Sequence, residues 1–397
     1  MPHTQPPNPS PFNFDQVIDR RHTDSLKYDA AVKRGMPADV RPFWVADMDF
    51  PAPPPVLEAL RARVEHGIFG YVDLGASYYQ AIQNWWRDYF NYSVAADWIV
   101  TTPGVVFSLN AALRAFSRPG DAVMLQTPVY YPFFSLISNN QRRQIASELI
   151  YEQGNYRIDF DDVEAKIKKH RVKMLVLCSP HNPGGRVWTK PELLRLGEIC
   201  LKYGVTVLAD EIHGDFTTPG HPHFVFAGLA PELERITVTC VSPSKTFNLA
   251  GLQCSQAFIA EAGMRAAFQA QVAATGYDEA NVMGMVACRA AYEQGRPWLE
   301  ALLDYLAGNT DYVGEFLARR LPRIKPGRRE GTYMLWLDCR ELGLSQEELD
   351  QRIVEKGNIW LYTGVKFGAG GAGFQRLNLA CPRPTLTLAM EGLARAL

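Results

Sequence analysis

The apolar residues of the chain fall into short, nearly continuous runs beyond about residue 100. A strand that is exposed on one face alternates between apolar and polar residues, and these runs do not alternate. Continuous runs of this kind are typical of strands that are buried on both faces of a sheet. The runs are AVMLQTP (122–128), VKMLVLCSP (172–180), VTVLADE (205–211), ITVTCVSPS (236–244) and CSQAFIA (254–260). The pattern therefore predicts a mostly parallel sheet that is covered by helices.

Helical patterns lie between some of these runs and after them. KPELLRLGEICLKYG (190–204) has apolar residues at helical spacing and ends in Gly204, a common helix terminator. Strands that alternate with helices predict an α/β fold. The alternation of strands and helices ends at about residue 290. After it, PWLEALLDYLAGNTDYVGEFLARRL (297–321) predicts a long helix that leads into the strands TYMLWLDC and FQRLNLA. This part predicts a smaller α+β domain.

The chain is therefore expected to divide into three segments. Residues 1–60 are expected to form an N-terminal arm and part of the small domain, 61–295 the large domain, and 296–397 the C-terminal small domain. The proline-rich start, residues 1–12, predicts a flexible or extended arm. RPFWVADMDFPAPPPVLEAL (41–60) predicts a short strand, a proline-rich connection and the start of a helix.

Composition and charge narrow the class of protein. The chain has 397 residues, 47% of them hydrophobic, and a net charge of −1. This charge offers no basic excess to attract nucleic acid or a membrane surface, and no apolar run approaches the ~20 residues that cross a bilayer. The seven cysteines form no C-x-x-C pair, and the N-terminus lacks the features of a signal peptide. We expect a cytoplasmic protein with reduced thiols that acts on a small molecule.

Polar and aromatic residues follow the apolar runs at the ends where a ligand of an open α/β sheet binds. VYYPF follows the run at 122–128, HNPGG follows the run at 172–180, DEIH ends VTVLA, and SPSK ends ITVTCV. Because the carboxyl ends of parallel strands meet at one edge, we expect these side chains to gather there. The sequence thus predicts a functional site at this edge of the sheet.

Three of these residues each allow a structural and a chemical interpretation. Lys245 is either a solvated lysine at a strand end or a buried amine, and burial favours the neutral form that attacks a carbonyl. Asp210 either caps a helix or pairs with a protonated pyridine nitrogen. Asn182 either begins a turn or donates to a phenolic oxygen. The three chemical roles together describe a site for pyridoxal phosphate (PLP).

The motifs SPHNPGG, ADEIH and SPSKTFNLAGL occur in this order, and with them the chain resembles the fold-type I PLP enzymes of the class I/II aminotransferase superfamily. The resemblance covers nearly the whole chain. It implies an α/β fold with a mostly parallel seven-stranded sheet in a large PLP-binding domain, plus a smaller α+β domain. It also implies that Lys245 forms a Schiff base with PLP, that Asp210 pairs with the pyridine nitrogen, and that Asn182 contacts the ring hydroxyl.

The resemblance implies a phosphate site built from two parts of the chain. Gly104, Val105 and Val106 in TTPGVVFSLNAAL stand at a helix start, where backbone N–H groups can bind a phosphate. Ser242 and Ser244 in SPSK match positions on the same side of the cofactor. Taken alone, the glycine and the two valines could equally form an ordinary helix entrance.

Aromatic residues and an arginine complete the implied site. Tyr130 in TPVYYPF matches the aromatic residue that stacks on the cofactor ring, and Tyr131 is the second choice. Tyr71 in GYVDLG matches a catalytic tyrosine that reaches the cofactor phosphate of a neighbouring subunit, which implies a homodimer with shared active sites. Arg376 in FQRLNLACPR matches the residue that binds the substrate α-carboxylate, and a guanidinium offers the two parallel donors this needs.

Two positions depart from many aminotransferases. Eight residues after Lys245 the chain has Gln253 where an arginine often binds phosphate. Three residues after Asp210 it has His213 where a tyrosine often contacts the ring hydroxyl. The glutamine predicts a phosphate held with less positive charge, and His213 either hydrogen-bonds near the ring or fills space.

The segments DRRHTDSLKYD (19–29), FWVADMDFP (43–51) and ADEIHGDF (209–216) resemble the MalY/PatB-type cystathionine β-lyases, a carbon–sulfur lyase group. The resemblance implies β-elimination from L-cystathionine or other S-substituted cysteines to a thiol, pyruvate and ammonia. It also places Trp44 and Asp47 near the substrate side chain. An aminotransferase of broad or aromatic specificity is the second hypothesis, and a non-catalytic sensor module is a remote third.

Two other patterns in the sequence predict neither a dinucleotide-binding site nor a metal site. GAGGAGF (368–374) precedes a strand instead of opening a helix after one, so it predicts a loop ahead of Arg376 and no dinucleotide-binding fingerprint. HPH (221–223) and His213 lack further ligands at supporting spacing, so no metal site is predicted.

Overall fold

The computed structural model describes residues 11–397. Most of the arm expected over residues 1–12 lies outside the described residues. The α-helices of the described part are α1 (Leu26–Asp29), α2 (Pro54–His66), α3 (Ala76–Phe90), α4 (Val105–Phe116), α5 (Pro132–Asn139), α6 (Phe160–His170), α7 (Lys190–Tyr203), α8 (Pro231–Glu234), α9 (Pro243–Thr246), α10 (Ala262–Ala273), α11 (Val282–Gln294), α12 (Arg296–Arg320), α13 (Gln346–Glu355) and α14 (Arg383–Ala396).

The strands of the described part are shorter, with six residues at most. They are β1 (Arg41–Pro42), β2 (Ile99–Thr102), β3 (Ala122–Thr127), β4 (Arg143–Glu148), β5 (Ile150–Glu152), β6 (Asn155–Arg157), β7 (Met174–Cys178), β8 (Thr206–Asp210), β9 (Thr237–Val241), β10 (Ser255–Phe258), β11 (Lys325–Pro326), β12 (Met334–Asp338), β13 (Ile359–Trp360), β14 (Tyr362–Thr363) and β15 (Phe374–Asn378).

The large sheet has seven strands in the order β2-β10-β9-β8-β7-β3-β4. Its strands pair in parallel except β10, which runs antiparallel to both of its neighbours. The predicted α/β fold with a mostly parallel seven-stranded sheet is therefore confirmed, and each of the five apolar runs contains one of its strands.

Both faces of this sheet are buried, as the unbroken apolar runs predict. On β3, Val123 and Leu125 belong to the core that includes α4 and α5, whereas Met124 belongs to the core on the other side with α6 and α7. Successive side chains of a strand point to opposite faces, so a strand covered on both sides needs apolar residues at every position. A fully buried Val, Leu or Met side chain contributes about 1.5–3 kcal/mol to folding.

Local residues explain where the helix α7 begins and ends. The side chain of Thr189 accepts a hydrogen bond from the Glu192 backbone, and the Glu192 side chain accepts from the Thr189 backbone. This reciprocal capping satisfies two N–H groups that the first helical turn leaves free. At the other end Gly204 takes a left-handed conformation with φ of 64°, which glycine adopts without strain.

A smaller sheet follows the long helix α12, with the strand order β11-β12-β15-β14. Arg376 lies on β15, paired with Trp336 on one side and Tyr362 on the other. The N-terminal strand β1 pairs in parallel with β13, so residues 41–42 lie against residues 359–360. The division into segments 1–60, 61–295 and 296–397 stays a prediction. Within residues 11–397, none of the helices has both the length and the apolar character that a bilayer crossing requires.

Candidate active site

The carboxyl ends of β3, β7, β8 and β9 meet around one cavity of about 200 Å³. Asp210 is the last residue of β8, and Ser242 directly follows β9. The side chains expected at the sheet edge therefore do gather there. The predicted site residues that line this cavity are Gly104, Val105, Val106, Tyr130, Asn182, Asp210, His213, Ser242, Ser244 and Lys245.

Lys245 lies in the four-residue helix α9 and is half-buried. Its Nζ donates a hydrogen bond to the Ala46 carbonyl at 2.6 Å. Burial lowers the pKa of Lys245 and the nearby Arg376 lowers it further, whereas the charges of Asp47 and Asp210 raise it. A lowered pKa favours the neutral amine, which is the form that attacks a carbonyl.

Asp210 is a buried carboxylate that no cation of residues 11–397 contacts directly. Burial raises its pKa from 3.8 to about 7, and the backbone N–H of Ile212, which donates to Oδ1 at 3.2 Å, acts in the opposite direction. A cationic ring nitrogen beside this carboxylate would stabilise the ionised form. The chemistry of the position therefore suits a protonated pyridine.

Arg376 connects the small sheet to the cavity. Its Nη1 donates to the Asn182 side-chain oxygen at 3.0 Å and its Nη2 donates to the Trp44 carbonyl at 2.5 Å. The side chain is fully buried, and its Nε has no hydrogen-bond partner among residues 11–397. Burial lowers the pKa of Arg376, so this guanidinium would gain from an anion that meets its free donor.

The amino end of α4 borders the cavity on the phosphate side that the resemblance implies. Gly104 is the N-cap residue, and no side chain caps this twelve-residue helix. The first N–H groups of a helix lack intrahelical partners and attract anions. Ser242 Oγ donates to the Cys254 carbonyl at 2.6 Å and accepts from the Ser244 N–H at 3.0 Å, so Ser242 also shapes the turn before Lys245.

Of the two neighbouring tyrosines, only Tyr130 lines the cavity. The Tyr131 ring instead stacks on Tyr362, with 4.9 Å between ring centroids and 13° between planes. Burial raises the pKa of Tyr130, which keeps its phenol protonated at neutral pH. The geometry thus favours Tyr130 over Tyr131 as the ring that faces a cofactor.

His213 is buried at the cavity wall, and its Nδ1 has no hydrogen-bond partner among residues 11–397. Burial, with smaller contributions from the charges of Lys245 and Arg376, lowers the pKa of His213 to about 3. The imidazole is therefore neutral near pH 7 and can offer one donor and one acceptor. Its contact with a ring hydroxyl stays a prediction.

Four predicted residues lie outside the wall of this cavity: Arg376, which reaches it only through Asn182, and Trp44, Asp47 and Tyr71. The Trp44 ring stacks on Trp360 at 4.4 Å, and only its carbonyl meets Arg376. Asp47 pairs with Arg20 at 2.8 Å and with Lys27 at 3.6 Å. Burial alone would raise the pKa of Asp47, but the two cations outweigh it and lower the pKa.

Tyr71 is 93% exposed and lines a neighbouring cavity together with Gln253 and Pro103. Pro103 lines both cavities, so Tyr71 lies close to the phosphate side of the site without facing Lys245. The roles predicted for Tyr71, Trp44 and Asp47 stay predictions.

Sequence reasoning missed Ala46 and Tyr333. The Ala46 carbonyl accepts hydrogen bonds from Lys245 and, at 2.8 Å, from the Tyr333 hydroxyl. Ala46 lies inside FWVADMDFP, and its contribution comes from the backbone, which every residue has. Tyr333 lies at the start of a predicted strand, where an aromatic residue indicates a position in the core. Because 287 residues separate them, no local pattern could indicate the contact.

The residues present fit PLP on four observations. Among residues 11–397 they are a helix start without a side-chain cap, a lysine whose pKa is lowered by burial, a buried carboxylate that lacks a contacting cation, and unpartnered nitrogen atoms of His213 and Arg376. Together they offer groups for a phosphate, an aldehyde, a pyridine nitrogen and an acidic substrate. The family comparison agrees: the model for aminotransferase class I and II matches residues 42–393.

The chain belongs to the aminotransferase class I and II family. Cystathionine beta-lyase PatB of Bacillus subtilis strain 168 is 42% identical to it over 384 residues, which cover 97% of this chain and 98% of PatB. Protein MalY of Escherichia coli strain K12 is 32% identical over 388 residues, 97% of this chain and 99% of MalY.

Among solved structures of the family, cystalysin from Treponema denticola contains a pyridoxal 5'-phosphate cofactor. It superposes with a TM-score of 0.94 at 36% identity and covers 97% of this chain and 98% of cystalysin. The resemblance to fold-type I PLP enzymes, and within them to the MalY/PatB group, is therefore confirmed.

Proposed function

We propose that this protein is a PLP-dependent carbon–sulfur β-lyase. It eliminates the β-thiolate from L-cystathionine or related S-substituted L-cysteines, and hydrolysis of the remaining three-carbon product by one water molecule yields pyruvate and ammonia beside the thiol. The observation that carries the proposal is the amine of Lys245, with its lowered pKa, in one cavity with Asp210 and Asn182. It occurs in a chain 42% identical to a protein named cystathionine beta-lyase.

The cofactor and the chain divide the chemistry between them. When bound, PLP supplies an electron sink that makes the substrate Cα–H acidic. Asp210 would keep the pyridine nitrogen positively charged, because a buried carboxylate stabilises a neighbouring cation. The amino end of α4 would hold the phosphate through backbone N–H groups, and Tyr130 would pack against the ring.

Lys245 would serve as the attachment point of the cofactor and as the base. Its amine lies at the cavity wall, and in its free, neutral form it would remove the proton from Cα. The β-thiolate then leaves, which is favourable because a thiol has a pKa of about 8.5 and tolerates the negative charge near neutral pH. Arg376 and Asn182 hold the α-carboxylate, so that Cα faces the amine.

A homodimer with shared sites belongs to the proposal. Tyr71 is almost fully exposed, and the apolar side chains of Val64, Ile68 and Phe69 beside it are more than half exposed. Exposed apolar residues that cluster next to a site suit an interface between subunits. Sedimentation of the holoenzyme as a 44.5 kDa monomer at assay concentration would contradict the shared site. We also propose a cytoplasmic location, in keeping with seven free cysteines that are all buried.

An aminotransferase is the second candidate, because the matching family model describes aminotransferases and Lys245, Asp210, Asn182 and Arg376 serve both reactions. The two activities differ in what happens after proton removal. A transaminase returns the proton to the cofactor and needs a keto acid to complete the cycle, whereas a β-lyase needs no second substrate.

Purified holoenzyme with L-cystathionine and no keto acid is expected to release pyruvate and thiol in equal amounts over many turnovers. A parallel incubation holds an amino acid without a β-leaving group, with 2-oxoglutarate as acceptor, and is expected to turn over far more slowly. The measurements are pyruvate by coupled reduction and thiol by a chromogenic disulfide. Activity that depends strictly on the acceptor would replace the lyase with the transaminase.

A further inference from the structure

Residues 44–50 (WVADMDF), called here the crossing segment, run between the small sheet and Lys245. On the small-sheet side, Arg376 holds the Trp44 carbonyl at 2.5 Å. The Asn378 side-chain amide donates to two further carbonyls of the segment, each at 2.7 Å. The crossing segment is thus fixed to the strand that carries the proposed carboxylate-binding arginine.

On the other side, Asn248 fixes the crossing segment to the turn that follows Lys245. Its Nδ2 donates to the carbonyls of Met48 and Phe50 at 3.0 and 2.9 Å, and its Oδ1 accepts from the Met48 N–H at 3.1 Å. Asn248 has a φ of 58°, a left-handed conformation that asparagine tolerates better than most residues. Every polar atom of this side chain is therefore used to hold the segment.

Two cations from outside the segment, Lys27 and Arg20, pair with its two carboxylates, Asp47 and Asp49. Lys27, fully buried, pairs with Asp49 at 2.8 Å, and Arg20 pairs with Asp47 and with Asp49, each at 2.8 Å. Two cations and two anions balance one another, so the segment carries no uncompensated charge past Lys245. None of these four side chains is free to move without leaving a partner unpaired.

The Ala46 carbonyl lies at the centre of the crossing segment. It accepts from Lys245 Nζ at 2.6 Å and from the Tyr333 hydroxyl at 2.8 Å. The Tyr333 ring is fully buried and packs edge-on against His213 and Phe216, with centroids 5.6 and 4.9 Å apart. The tyrosine is rigid, so its hydroxyl defines where the Ala46 oxygen can lie.

A neutral amine has two N–H donors and one lone pair, and a fixed acceptor for one N–H restricts where the lone pair points. We propose that Tyr333 and Asn248 are positioning residues that fix the Ala46 carbonyl as the acceptor of the free Lys245 amine. This inference rests on the proposed function, in which that amine removes the Cα proton. Tyr333 acts through the carbonyl and Asn248 through the segment that carries it.

The Ala46 carbonyl and the charges around Lys245 together determine the proton affinity of the Lys245 amine. Asp47 from the crossing segment, Asp210 from β8, Arg376 from β15 and the neutral His213 face Lys245. A carbonyl held at 2.6 Å stabilises the ammonium form, because a hydrogen bond to a charged donor is stronger than one to a neutral donor. Loosening the carbonyl should therefore make the amine easier to deprotonate.

Tyr333→Phe removes the hydroxyl and keeps the buried ring. Full-length apoenzyme is mixed with PLP at a series of pH values, and the rate of recombination is followed by visible absorbance. This rate rises with the fraction of neutral amine, so its pH dependence has a midpoint. We expect the pH of this midpoint to fall by about one unit in the variant. In the holoenzyme we expect kcat for cystathionine to fall about tenfold and KM to change less than about twofold. Asn248→Gly, which retains the positive φ, should shift both values in the same direction.

Tyr92→Phe is the matched control, since Tyr92 is a buried tyrosine that donates to Glu234 at 3.2 Å away from the cavity. It should reproduce the wild-type midpoint and kcat at a similar melting temperature. Wild-type values in both Tyr333→Phe and Asn248→Gly would overturn the positioning role. The recombination midpoint needs no substrate, so it tests this inference even if cystathionine is not cleaved, and loss of cleavage in the wild type overturns only the proposed function.

Discussion

Lys245→Ala is expected to lose at least about 10⁴-fold of its lyase activity and all of the visible absorbance of protein-bound cofactor. The variant loses both the amine that attaches the cofactor and the base that removes the Cα proton, and a positioned base alone contributes about 10²–10⁴-fold. Turnover with cystathionine and the absorbance spectrum are measured on the same preparation.

The control for this substitution is Lys202→Ala. Lys202 pairs with Glu164 at 2.6 Å on the protein surface, where its side chain is 63% exposed. Its loss should leave the spectrum and turnover unchanged. A Lys245→Ala protein that keeps wild-type absorbance and turnover would show that another amine carries the cofactor.

Asp210→Asn is expected to lower kcat by about 10²–10⁴-fold and to leave a coloured, cofactor-binding protein. An amide cannot balance a protonated pyridine nitrogen, and removing one partner of a buried ion pair typically costs about 3–5 kcal/mol, which corresponds to about 10²–10⁴-fold in rate. Steady-state kinetics with cystathionine measure the effect. Asp162→Asn, which removes a half-exposed carboxylate paired with Lys166 at 2.8 Å, is the control.

The same substitution should act in the opposite direction on the stability of the apoenzyme. Without a cation beside it, burial raises the pKa of Asp210 from 3.8 to about 7. The folded state then binds a proton that the unfolded state has lost, so the stability from this group is present below pH 3.8 and is lost as pH rises through about 7. The difference amounts to about 4 kcal/mol.

Asp210→Asn carries no such charge, so its apoenzyme should melt at a higher temperature than wild-type apoenzyme at pH 8 and lose this advantage toward pH 4. Thermal unfolding of the two apoenzymes across this pH range measures the difference. If the difference in melting temperature is the same at all pH values, burial does not raise the pKa of Asp210, and this would contradict the interpretation of its role.

The sequence predicts the large sheet well, because strands that are buried on both faces require continuous apolar runs, and such runs are visible in the local sequence. All six residues of β3 are buried, and the first four of AVMLQT are apolar without alternation. The cluster of Asn182, Asp210 and Lys245 follows from the same rule, since each stands at the carboxyl end of such a strand. Their gathering needed only the parallel topology.

Other parts of the site depend on contacts that no short pattern records. Trp44 lies in a segment that resembles the lyase group, yet its ring packs on Trp360 and its carbonyl makes the contact with Arg376. Ala46 contributes through its backbone oxygen, and any residue type has one. Tyr333 reads as a strand residue of the core until the fold brings it against Ala46 across 287 positions.

Borohydride reduction of the holoenzyme, followed by peptide mapping with mass spectrometry, tests most directly whether the chemistry begins at Lys245. Reduction fixes the cofactor to the amine that carries it. We predict that the added mass appears on the peptide that contains Lys245, in one copy per chain. Label on a peptide that contains a different lysine, such as the buried Lys27, or no label on a coloured protein, would contradict the assignment and the mechanism built on it.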